Sequence, residues 1–323
     1  MSATLLRVLT MRNRLIASIA CSCVIATGIL APTIAPSIAL AETYTHEMGT
    51  VNFATPPNRI AVSNWSLTET VLALGIDPVA IPEADGYREW VVEPALPAEF
   101  VDLGTRMAPN FEALRDSRPE VILISSDVAM AYDKLSAFAP TMVYSIYNTD
   151  QPALDRAEDL MRNVGQLTGR SDKAEEIIAS ANQRIATAAD RIRKAVGDDA
   201  KFAVVRILDD AHFRIHGTTS LFGSTLARMG FANTWTGPVN GWGFSNGEIG
   251  DLAKLGPTHF AYIEPTPAAV KTKLFGSPVW KALPFNRQNT VYEVPTSWTF
   301  GGLLSAVRFA EQLADAITDA HGS

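Results

Sequence analysis

One run in the chain matches a nucleophile motif letter for letter: Gly243-Phe244-Ser245-Asn246-Gly247. In a G-x-S-x-G elbow the serine sits on a sharp strand-to-helix turn, and an acid and a histidine follow in the chain. His259 follows here, with Glu248 or Asp251 as the acid. The residues before it, Gly237-Pro-Val-Asn-Gly-Trp-Gly243, are loop chemistry rather than a strand. A glycine-rich loop is therefore the expected structure, and a secreted serine hydrolase using Ser245 is the competing functional reading. Metal chemistry has less to stand on. The histidines are His46, His212, His216, His259 and His321. Only His212 and His216 are close, and in a strand they would lie about 13 Å apart, too far to share one zinc ion. The chain lacks H-E-x-x-H, an EF-hand loop, a G-x-x-x-x-G-K-[ST] phosphate loop and a G-x-G-x-x-G turn after a strand. No metal or cofactor held by protein ligands is expected.

The residues that stand out are aromatic. Of six tryptophans, four fall outside periodic core patterns. Trp65 follows an apolar run, Trp90 precedes a proline-rich one, Trp242 lies between two glycines, and Trp298 follows Val294-Pro-Thr-Ser. Such positions are strand exits, and α/β sheets bind ligands beyond the carboxyl ends of their strands. An aromatic-lined cleft is the expected site. Arg106, after Val101-Asp-Leu-Gly104, sits at another strand exit. In an aromatic cleft its guanidinium would donate to an anionic or strongly dipolar oxygen group.

The elements that must position these residues follow from the patterning. Residues 1–41 hold three arginines and no acid, then a charge-free stretch from Leu15 to Ala41 ending in Ala39-Leu40-Ala41. That is the layout of a cleavable export signal, with Met1 or Met11 as its start. Its removal would take the chain from 323 to 282 residues and the net charge from −7 to −10, since the three arginines leave with it. Cys21 and Cys23 leave too, which excludes a disulfide framework and a cysteine nucleophile from the exported chain. The acidic balance argues against nucleic acid as a partner.

From Arg59 on, apolar runs such as Val121-Ile-Leu-Ile124 alternate with helical periodicity, which predicts an α/β architecture. Within Ser171–Val196, Ile177, Ile178, Ala181, Ile185, Ala188, Ile192 and Val196 recur at steps of three or four, with Ser171 as the expected N-cap and Gly197 as the stop. A helix of this length spans about 38 Å. The expected organisation is a leader over 1–41, an α/β lobe over 42–170, a bridging helix over 171–196, and a second α/β lobe over 197–323, with the ligand cleft between lobes.

Several segments resemble the periplasmic ferric hydroxamate siderophore-binding proteins of bacterial ABC importers. They are Tyr87-Arg-Glu-Trp-Val-Val-Glu-Pro-Ala-Leu-Pro97, Val101-Asp-Leu-Gly-Thr-Arg-Met-Ala-Pro-Asn110, Asn240-Gly-Trp-Gly243, Ser277-Pro-Val-Trp-Lys-Ala-Leu-Pro-Phe285 and Val294-Pro-Thr-Ser-Trp-Thr-Phe-Gly301. The resemblance runs from Arg59 to about Ala316. It implies two α/β lobes bridged by one long helix, with no enzymatic activity. It implies that Arg106 bonds the hydroxamate oxygens around iron, that Trp90, Trp242 and Trp298 line the pocket, and that Trp65 and Asn240 lie close by. Iron would enter already chelated, as part of the ligand. Two pocket tyrosines of the family fall at Val128 and Phe300 here, and Tyr132 is the candidate to supply the missing hydroxyl. Asp133 in the first lobe, and Glu248 or Asp251 in the second, are the candidates to meet arginines of an inner-membrane permease. A periplasmic monomer is expected, with another iron chelate, heme or a corrinoid as alternative ligands. The net charge of −10 favours a cationic siderophore over a highly anionic ferric catecholate.

Overall fold

The structure is a computed structural model that describes residues 41–322. The expected leader lies outside the described residues. A hairpin of β1 (Glu42–His46) and β2 (Gly49–Phe53) opens the described chain. Then come β3 (Ile60–Val62), α1 (Trp65–Ala73), β4 (Ala80–Ile81), α2 (Ala84–Trp90), β5 (Val101–Asp102), α3 (Phe111–Asp116), β6 (Val121–Ile124), α4 (Tyr132–Ser136) and β7 (Thr141–Val143). These strands form a parallel sheet in the order β5-β4-β3-β6-β7. Parallel strands covered on both faces must be apolar throughout, and β3, β6 and β7 are buried at every residue.

Two helices follow, α5 (Ala153–Leu167) and α6 (Ser171–Val196). The second half then runs β8 (Lys201–Ile207), β9 (His212–His216), α7 (Leu221–Arg228), β10 (Ala232–Asn233), β11 (Phe244–Glu248), α8 (Ile249–Leu252), β12 (His259–Ile263), α9 (Ala268–Gly276), α10 (Pro278–Ala282), α11 (Pro284–Arg287), β13 (Val291–Val294) and α12 (Leu303–His321). Its sheet has the order β11-β9-β8-β12-β13, with β10 also paired to β8. Here β8, β12 and β13 are parallel, while β9 and β11 run against their neighbours.

The long helix α6 spans the residues whose periodicity predicts it. It buries Ala174, Ile178, Ala181, Ile185, Ala188, Ala189 and Ile192, and Gly197 ends it at φ 90°. Small residues on that stripe let α12 lie along it with Ala306, Ala310 and Ala314. Its N-cap is Arg170 rather than Ser171. The α5–α6 turn is so tight that the Arg170 carbonyl already accepts the first helical bond, from Ala174 at 2.9 Å, which leaves Ser171 inside the first turn. One buried apolar cluster takes in residues of β3, β6, α5, α6, β8, α7, β13 and α12. A core shared by both halves resists large relative motion of the two sheets, because close-packed interiors transmit displacement rather than absorb it.

Candidate functional site

The residues at the carboxyl ends of the first sheet's strands converge on one cavity of about 350 Å³. Trp65 follows β3, Glu83 follows β4, Arg106 follows β5, Ser125 and Val128 follow β6, and Tyr147 follows β7. The second half contributes Arg214 from β9, Trp242 just before β11, Phe244 at its start, and Trp298 and Phe300 after β13.

Trp65 begins α1, whose first turn is fixed by the Asn64 side chain accepting from the Leu67 amide at 2.9 Å. Its indole N–H donates to the Pro82 carbonyl at 3.1 Å, so the ring is held at its edge and offers its face. The Arg106 guanidinium lies on that face, 3.7 Å from the ring centroid. Glu83 fixes Arg106 from behind. Its carboxylate accepts from the Arg106 amide at 3.0 Å and from Nε at 2.6 Å. Arg106 lines the cavity, and its two Nη groups, which make no hydrogen bond to a described residue, form the fork that suits a bidentate oxygen acceptor. Glu83 itself holds φ 48°, an uncommon conformation for a residue with a side chain.

The aromatic rings form a connected floor. Trp298 meets Trp65 edge-on at 4.7 Å, Trp90 at 5.7 Å and Phe300 at 5.5 Å. Phe300 in turn meets Trp242 at 4.9 Å, and Trp242 stacks on Tyr147 at 5.2 Å. The Tyr147 hydroxyl donates to the Gly301 carbonyl at 2.8 Å. Burial, then the nearby Glu69 charge, keeps that phenol protonated well above its usual range. Its single proton is committed to the fold.

Of the sequence-predicted residues, Trp65, Arg106, Trp242, Trp298 and Phe300 line the cavity, as does Val128. Trp90 sits at the end of α2, behind Trp298. Trp65 opens α1 and Trp90 closes α2, a short helix that no periodicity betrays. Asn240 does not line the cavity. Its side-chain oxygen accepts from the Trp242 and Phe244 amides at 3.0 and 3.3 Å, so it shapes the turn that presents Trp242. Tyr132 does not line it either. It starts α4 and packs beside His46 at 5.8 Å, so it does not bring a hydroxyl to the position of Val128. Arg214, Tyr147, Phe244 and Glu83 were not anticipated. Arg214 had a signal: in His212-Phe-Arg-Ile-His216 a charge alternates with buried apolar residues in a strand. Tyr147 and Glu83 had none beyond following an apolar run.

The Gly243–Gly247 segment is not a loop. From Phe244 on it belongs to the edge strand β11, paired residue by residue with β9, with Ser245 opposite Ile215. Strand pairing rather than glycine content decides its shape. The Ser245 hydroxyl donates to the Pro238 carbonyl, and the His259 ring meets the Tyr292 hydroxyl at 2.9 Å. The strand-turn-helix geometry of a nucleophile elbow is absent.

Among the described residues no group of three or more His, Cys, Asp or Glu is arranged to hold a metal ion. No described helix is long and apolar enough to cross a membrane.

The family follows from comparison with known proteins. Residues 60–297 match the family model described as periplasmic binding protein. The chain belongs to that family. The family is made of binding proteins rather than enzymes. This periplasmic binding protein is 30% identical over 264 residues to the iron(3+)-hydroxamate-binding protein FhuD of Escherichia coli K12, across 82% of this chain and 88% of that one. It is 24% identical over 282 residues to the Fe(3+) dicitrate-binding periplasmic protein FecB of the same organism, across 85% and 89%. Its fold is similar to the crystal structure of the Fe3+-Desferal-bound siderophore-binding protein FhuD from Vibrio cholerae, with TM-score 0.76, 26% identity, and 81% and 98% of the two chains covered.

Two consequences of the geometry can be measured. Gly86 in α2 lies against Trp65, and a Cβ placed there would stand 2.4 Å from the ring's Cζ2. Gly86→Ala must therefore push the indole off its seat under Arg106. A severalfold loss of ligand affinity is expected, with a shifted tryptophan emission maximum and a cooperative thermal transition retained. The second consequence concerns His216, which is fully enclosed with both ring nitrogens unpartnered. Burial, then the charges of Arg214 and Arg206, push its pKa down to about 3. The unfolded chain binds a proton there near pH 6.5 and the folded one does not. Stability is therefore whole above pH 6.5 and falls as pH drops toward 3, by at most about 1.4 kcal/mol per pH unit from this group. Urea midpoints between pH 4 and 7 should show this slope in the wild type and a shallower one in His216→Phe.

Proposed function

We propose that this protein binds a ferric hydroxamate siderophore in the cavity between its two sheets and delivers it to an inner-membrane ABC permease. The observation that carries the reading is the pairing of Arg106, clamped by Glu83 and laid on Trp65, with a continuous aromatic floor. A ferric trihydroxamate fills iron's six oxygen positions by itself. The protein then needs apolar walls for the carbon skeleton and a few donors for oxygens carrying partial negative charge. The likeness to the iron(3+)-hydroxamate-binding protein and to the Fe3+-Desferal-bound siderophore-binding protein supports the same ligand class. Val128 and Phe300 bring no hydroxyl to the cavity wall, and Arg106 is the cation that the first half brings to it among the described residues. Native mass spectrometry of residues 42–323 mixed with ferric siderophores tests it. One-to-one complexes with ferric trihydroxamates are expected, and complexes only with heme, a corrinoid or a ferric catecholate would move the ligand elsewhere.

For docking, the three acids differ. Asp251 forms a capping box with Glu248 and pairs with Lys254 at 2.7 Å, which holds its carboxyl below the usual range. Asp133 is exposed in the first turn of α4 and makes no ion pair with any described residue. It is the carboxylate best placed to meet a permease arginine, with Glu248 as its counterpart in the second half. Asp133→Lys should abolish siderophore-dependent iron-55 uptake in cells while leaving the dissociation constant of the isolated protein unchanged. Intact uptake would remove Asp133 from the docking surface.

A further inference from the structure

Arg206 and Arg214 stand opposite each other across the antiparallel β8–β9 ladder. The Nε of each is buried with no hydrogen-bond partner, and neither guanidinium is in an ion pair with a described residue. Both rest on aromatic faces instead, Arg206 over Trp90 at 4.3 Å and Arg214 over Phe244 at 4.3 Å and Phe300 at 5.3 Å. Both arginines are half-buried, and charges drawn even partly out of water are ordinarily paired, because desolvating them is costly. Here two like charges face each other and the neighbouring His216 stays neutral. The acids of the region do not compensate them. Glu83 is spent on Arg106. Asp127 belongs to the first half and accepts from Ser125 Oγ at 3.0 Å and Asn148 Nδ2 at 3.5 Å. Glu89 acts on Arg206 only through its field.

Arg214 lines the cavity that Arg106 lines. Arg106 sits against Trp298 and Arg214 against Phe300, two rings that meet at 5.5 Å. The two arginines therefore address different parts of one ligand. We infer that Arg214, backed by Arg206, is a subsite for an oxyanion on the siderophore, a carboxylate carried outside its iron-binding groups. The inference rests on the ferric siderophore reading above and adds a charge preference to it. It also reverses the expectation drawn from the net charge of −10, because a pocket responds to the charges on its own wall before those on the outer surface.

Three linear ferric trihydroxamates test it, alike in their iron-binding groups and differing only in the tail: an ammonium, a neutral acetamide, or a succinamide ending in carboxylate. Isothermal titration of residues 42–323 should rank the carboxylate form tightest, about tenfold above the acetamide form. In Arg214→Gln that ratio should fall to about one, and Arg214→Lys should restore part of it. Circular dichroism melts establish that both variants fold, and the wild-type ranking stands as a test even if they do not. A wild type that ranks the ammonium form first, or an Arg214→Gln variant that keeps the carboxylate preference, overturns the subsite. Failure of all three complexes to bind strikes the siderophore reading itself, and the subsite with it.

Discussion

Arg106→Ala is expected to weaken binding of a ferric hydroxamate by about tenfold to about a hundredfold, or about 1.5–3 kcal/mol. The loss has two sources. The charge-assisted bonds to the ligand oxygens disappear, and the Glu83 carboxylate keeps the amide of residue 106 on one oxygen but loses the Nε partner of the other, leaving its charge unneutralised beside the cavity. Arg106→Lys should recover little, since an ammonium cannot hold Glu83 with one edge and offer two parallel donors with the other. Glu83→Gln should fall between, keeping the guanidinium but loosening its aim. Equilibrium titration of the three variants checks the order. An unchanged dissociation constant in Arg106→Ala would remove the residue from the site.

The largest effect on stability is expected at Glu69. Its carboxylate is fully buried and caps the start of α12, accepting from the amides of Gly302 at 3.3 Å, Leu304 at 2.7 Å and Ser305 at 3.1 Å, and from the Ser305 hydroxyl. Burial raises its pKa while these bonds oppose the rise. The approach needs glycine: a Cβ at Gly302 would lie 3.0 Å from the carboxylate, and one at Gly301 would lie 2.0 Å from Ser305 Oγ. Glu69→Ala leaves the α12 donors orphaned in a dry interior, at a cost of about 3–4 kcal/mol. For a chain of this size that is roughly a 10 °C drop in Tm. Glu69→Gln should lose less, because an amide oxygen still accepts from part of the set. Glu69 lies one helical turn after Trp65, and Gly301 follows Trp298 and Phe300. Loosening this clamp should therefore weaken ligand binding as well as the fold. A melting temperature within 2 °C of wild type would show that the cap is dispensable.

Much of this is legible in the sequence, for identifiable reasons. Val121–Ile124 is apolar throughout because both faces of a parallel sheet are covered. The stripe of α6 is legible because a helix buries only one face. Trp298 and Arg106 were legible as strand-exit residues, a position that the alternation of elements defines. The misses come from interactions between distant segments. Nothing local in Gly243–Gly247 predicts that β9 will recruit it as a strand partner. Nothing near Glu83 announces Arg106, which lies 23 residues away. Tyr132 follows Val128 by four residues, but the turns after Ser125 carry it toward His46 instead of the cavity. The Arg206–Arg214 pair needs the hairpin register, which the sequence does not state.

Tryptophan fluorescence tests the central claim most directly, since Trp65, Trp242 and Trp298 all border the cavity. Residues 42–323 would be titrated with ferric and iron-free trihydroxamates, a ferric citrate, a ferric catecholate, heme and a corrinoid. Saturable quenching by a ferric trihydroxamate at micromolar or lower concentration, with the iron-free form much weaker, is the predicted result. Saturation by another member of the panel, and none by any ferric hydroxamate, would contradict it.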